Sequence, residues 1–95
     1  MTHSLAKNCQ FDKKDNGVAF ELPIDDRVVR CFITSQALEQ EFGPFAKLCD
    51  ERRVVAVLRV LRTATTRNGR ITKKVRERIT AGDLEPVMLL PWMFN

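Results

Sequence analysis

Histidine and glycine are scarce in this chain, and each scarcity removes a class of chemistry. The single histidine, His3, lies in the N-terminal stretch, and no CxxC pair occurs anywhere. Zinc sites draw on closely spaced cysteine and histidine pairs, so no metal centre is expected. Four glycines among 95 residues form no phosphate-cradling loop, and neither GxSxG nor HExxH is present. No cofactor is expected either. Long apolar runs are also missing: none approaches the roughly 20 residues of a membrane-spanning helix. The start, Met1–Asn8, has no apolar segment of the signal-peptide kind. A cytoplasmic protein without a membrane contact is the expectation.

Cysteine use points the same way. Cys9, Cys31 and Cys49 are odd in number and far apart, which suits a reducing compartment. Cys31 and Cys49 read as small buried apolar residues. A reactive thiol would need a neighbour that lowers its pKa, and none is evident. Acid–base work would fall to Asp25 and Asp26, whose place in a turn marks them as solvated loop residues. The chain reads as non-catalytic.

What is present is an ordinary globular composition, 44% hydrophobic and 29% charged, with room for one small domain. The net charge of +4 hides an asymmetry. Seven basic residues and one acid lie between Arg62 and Arg78, and the remainder of the chain is slightly acidic.

Residues 1–10 read as a flexible lead-in, and residues 11–95 as a single domain anchored first by Phe11. Asn16-Gly17 signals a turn. Val18, Phe20, Leu22 and Ile24 then alternate with Ala19, Glu21 and Pro23, the period of a half-buried strand. Arg27–Ile33 forms a second strand, joined across Asp25-Asp26 into an antiparallel hairpin. Because Asp-Asp is a poor two-residue turn, a loop of three to five residues is expected.

Thr34-Ser35 supplies an N-cap for a helix over 36–42, which Gly43-Pro44 stops with a left-handed cap. A second helix is expected over 45–64, opened by Pro44. On it Phe45, Leu48, Cys49, Val57, Val60, Leu61 and Ala64 share one face, opposite Glu51, Arg52, Arg59 and Arg62. The competing reading is a valine-rich strand over Val54–Leu61. After the turn at Asn68-Gly69, Ile71, Val75 and Ile79 make the stripe of a third helix, capped by Thr72 and closed at Gly82. The same residues admit a basic hairpin with its turn at Asn68-Gly69. The last stretch, Pro86–Phe94, is uncharged and nearly all apolar.

The fold class is therefore α+β: an N-terminal antiparallel hairpin against two or three helices, with an apolar C-terminal tail. At the hairpin and first helix the chain resembles a family of short bacterial proteins classed only as a domain of unknown function. The residues that carry the likeness are Phe11, Val18-Ala19-Phe20, Val29-Arg30-Cys31-Phe32-Ile33-Thr34, Ala37-Leu38 and Phe42-Gly43. It spans residues 9–43, and implies a cytoplasmic bacterial α+β domain with no catalytic residues.

Two surfaces then compete for function. Val87, Leu89, Leu90, Trp92 and Phe94 would either close the domain's own core or meet a second copy or partner protein. Arg67, Arg70, Lys73, Lys74, Arg76 and Arg78 would either hold nucleic-acid phosphates or be a solvated face paired with the acidic remainder. A helix, a turn and a basic helix loosely suggest helix-turn-helix, but the connection is long for that motif. The expected role is that of a small bacterial regulatory or adaptor module acting by self-association or protein binding, with nucleic-acid binding as the alternative.

Overall fold

Alternation of apolar residues in the first third of the chain builds the centre of one four-stranded sheet. A computed structural model describes residues 6–45 and 47–94. Strand β2 (Gly17–Ile24) pairs antiparallel with β3 (Arg27–Thr34) in unbroken register from Gly17↔Thr34 to Ile24↔Arg27. That register leaves a two-residue turn, Asp25-Asp26, shorter than expected. Asp25 enters the left-handed region (φ 55°), a conformation that aspartate tolerates better than most side chains.

Strand β1 (Lys7–Asp12) adds to the free edge of β2, with a register shift between Lys7 and Gln10. Residues 7–10, expected in the lead-in, are thus part of the sheet. Between β1 and β2 the amide of Asp15 donates to Asp12 Oδ1, and Asn16 takes φ 54° to deliver Gly17 into the strand. No larger residue fits at 17: a Cβ there would lie 2.4 Å from the Phe32 ring.

One sheet face is apolar throughout. Val18, Phe20, Leu22 and Ile24 of β2 and Val29, Cys31 and Ile33 of β3 are all buried on it. Strand β4 (Val87–Leu89) extends this face by pairing parallel to β3, Cys31 opposite Val87 and Ile33 opposite Leu89. Each fully buried aliphatic side chain contributes about 1.5–3 kcal/mol, so the face must be covered.

Three helices supply the cover. Helix α1 (Ser35–Phe42) starts where Thr34 Oγ1 accepts the Ala37 amide at 3.1 Å, and it buries Ala37 and Leu38. It ends at Gly43, whose amide donates to Glu39 O. Gly43 has φ −71°, not the left-handed cap expected, and glycine is needed for closeness instead. A Cβ would sit 2.3 Å from Glu39 O.

Helix α2 (Asp50–Ala64) begins later than the expected residue 45. Phe45 turns into the core and its amide donates to the Glu39 carboxylate at 2.8 Å, which holds this part of the chain in a loop. The valines of 54–61 are helical, not a strand. Asp50 and Glu51 in the first turn and Arg62 in the last complement the helix dipole.

Helix α3 (Arg70–Thr80) replaces the alternative basic hairpin. Its N-cap is Gly69, not Thr72, and a Cβ on Gly69 would collide with Ala64 O. The closure at Gly82 (φ 98°) is as expected. Its amide bonds Ile79 O while the Asp83 amide bonds Arg78 O, the paired bonds of a Schellman cap. No helix among the described residues is long and apolar enough to cross a membrane.

Thr72 is fully buried, and its hydroxyl finds no hydrogen-bond partner among the described residues. Burying an unpaired hydroxyl is unfavourable, and valine has nearly the same shape. Thr72→Val is expected to stabilise the fold by about 1 kcal/mol in urea unfolding, with an unchanged circular-dichroism spectrum.

Candidate functional site

The basic segment does not assemble into one free patch. The Arg70 guanidinium pairs with Glu41 of α1 at 2.7 Å and lies over the Phe42 ring at 5.3 Å. Lys74 pairs with Glu77 one turn along α3, and Arg76 reaches Asp25 in the β2–β3 turn at 3.1 Å. Arg78 makes a bidentate pair with Asp83 just beyond the helix, at 2.8 and 2.9 Å. Of the six candidate residues, Arg67 and Lys73 are exposed without an ion pair among the described residues. Five residues, Thr65–Gly69, separate α2 from α3, more than a helix-turn-helix uses.

The apolar tail also divides. Val87 and Leu89 are fully buried beneath the helices, so neither reaches a partner without unfolding. Phe94 sets its ring edge-on against Phe42, with centroids 6.2 Å apart. Leu90 is half-buried, and its amide contacts Met93 Sδ. Trp92 projects, at 62% exposure, from the short 3-10 turn Pro91–Phe94, and Met88 is exposed on the other face of β4.

Glu85, a residue with no sequence signal of its own, closes the gap before β4. Its carboxylate accepts the Arg30 amide at 2.7 Å and lies 3.8 Å from the Arg27 guanidinium. It thereby satisfies a β3 donor that β4 does not reach.

The thiols differ sharply. Cys31 is buried, and burial, helped by the charge of Glu85, pushes its pKa up to about 12. Burial raises Cys9 as well. Cys49, expected in the core, is exposed at the N-cap of α2. No cluster of three or more metal-ligating side chains occurs among the described residues.

Helix α2 carries apolar side chains on two sides. Val57, Leu61 and Ala64 face the core, yet Val54, Val55 and Leu58 remain 37%, 56% and 38% exposed. Beside Val54 runs a groove of about 500 Å³, floored by Val18, Leu38 and Phe45 and flanked by Phe11 of β1. A second hollow of about 550 Å³ lies on the open face of the sheet around Glu21, Arg30, Phe32 and Met88. Valines at 54, 55, 57 and 60 are spread around the helix, and that spread blurs the amphipathic pattern in sequence.

No known protein family, curated protein or solved structure matches the chain. The family likeness over residues 9–43 rests on those residues alone.

Two measurements check this picture. Iodoacetamide at mildly alkaline pH should label Cys49 in the folded protein and leave Cys31 unmodified until denaturant is added, as peptide mass spectrometry would show. The second concerns Asp83, whose pKa the Arg78 hydrogen bond holds below the ordinary carboxylate range. Its stabilisation is complete above that range and is lost as pH falls through the depressed value. Asp83→Asn should therefore lower stability at neutral pH and flatten the acid limb of a plot of Tm against pH.

Proposed function

We propose that this protein is a non-catalytic module that works by contact with other protein, through the outer face of α2. The observation that supports this is the exposure of Val54, Val55 and Leu58 along one helix. Exposed aliphatic side chains that cluster on a helix favour a partner surface over water. The adjoining groove adds Phe11 at its edge.

This reading moves the interface from the tail to α2. Trp92 stays exposed, but it stands without the support of Val87 and Leu89, which are spent on the core. The nucleic-acid reading loses support from the same geometry. Four of its six residues are engaged by Glu41, Glu77, Asp25 and Asp83, which weakens the local field that phosphate binding needs.

Carbene footprinting tests the proposal without assuming a partner. Val55 and Leu58 should be labelled less in concentrated cell extract than in dilute pure protein, with Trp92 labelled alike in both. Leu58→Asp should remove the difference while the circular-dichroism spectrum stays unchanged. Equal labelling of α2 in both conditions overturns the proposal.

A further inference from the structure

On α2, Glu51, Val55, Leu58 and Arg62 are spaced four, three and four apart. At 100° per residue they fall within an arc of about 60°. This arc points away from the buried residues Val57, Leu61 and Ala64. The spacing is that of a heptad seam, the pattern by which one helix packs along another.

The order of chemistry along the seam is what identifies the partner. The sequence of side chains is acid, aliphatic, aliphatic, base, and it is symmetric about the midpoint between Val55 and Leu58. Turned end for end, the same seam reads base, aliphatic, aliphatic, acid. Two copies laid antiparallel therefore set Val55 against Leu58 and Glu51 against Arg62, each pairing occurring twice across a two-fold axis. Neither Glu51 nor Arg62 has an ion pair within its own chain among the described residues. In a parallel pair acid would meet acid and base would meet base.

We infer that a second copy of this chain is the occupant of the α2 face, bound as an antiparallel helix pair. The inference rests on the proposed α2 contact surface and supplies its partner and orientation. A 15-residue helix is about 22 Å long, so the contact lies at the small end of specific interfaces and the dimer forms at high protein concentration. One flank works against it. Arg52 and Arg59 share a side of the seam and face each other across the axis as like charges.

Charge reversal distinguishes this arrangement from any other. Sedimentation of the pure chain over a wide concentration range should show a monomer–dimer equilibrium. Glu51→Arg and Arg62→Glu should each weaken it roughly tenfold, because each turns two attractions into repulsions. An equimolar mixture of the two single variants should recover dimerisation, since every pair is then opposite in sign. The variant carrying both changes should recover it too. Arg59→Glu, which sets an acid opposite Arg52, should tighten the dimer about threefold.

A dimer broken by Leu58→Asp but indifferent to the charge reversals would overturn the antiparallel seam and leave α2 as the contact surface. A dimer indifferent to both forms through another surface and would overturn the second-copy inference, leaving the α2 surface to the footprinting result. A chain that stays monomeric at millimolar concentration would overturn the second-copy inference, while protection of α2 in extract would still support the broader proposal.

Discussion

Covering the apolar face of the β2–β3 hairpin is the constraint from which the rest of this structure follows. Seven alternate side chains of the two strands project to one side, and a hairpin alone cannot shield them. Helix α1 starts at once after β3 and folds back over that face. Strand β4 then widens it, and the buried residues of α2 and α3 complete the cover. The parallel pairing of β4 with β3 is possible only because three helices separate the two strands in sequence. The fold is thus a short meander with one helical layer, closed by a strand from the far end of the chain.

Elements that declare themselves through local chemistry were legible in the sequence. The alternation from Val18 to Ile24, the Thr34 cap, and the closure of α3 at Gly82 all act within a few residues of themselves. Elements that depend on distant partners were not. Strand β1 reads Lys-Asn-Cys-Gln-Phe-Asp, with too little apolar content to announce a strand, and backbone pairing to β2 holds it. The start of α2 depends on the Glu39 carboxylate holding the Phe45 amide from another helix. Thr72 resembles a cap in sequence, but Gly69 takes that place because the chain passes so close to Ala64.

The candidate site was legible by composition and misplaced by geometry. The excess of positive charge over residues 62–78 is real, but its meaning depends on where the acids lie. Glu41 and Asp25 come from elements remote in sequence and arrive beside Arg70 and Arg76 only in the folded chain. The segment thereby becomes an internal fastening between α3 and the rest of the domain more than an outward field. Val87 and Leu89 of the tail are likewise spent inward, while Trp92 stays exposed and three further apolar side chains reach solvent together on α2.

The surroundings of β4 bear on how copies of this protein can meet. A sheet edge is normally an open template on which another strand can add. Here the terminal strand is three residues long and stands between Pro86 and Pro91, neither of which has an amide hydrogen to offer. The Leu90 amide is turned back onto Met93, and the Arg30 amide is already taken by Glu85. Growth of the sheet by adding strands from other molecules is blunted at this border.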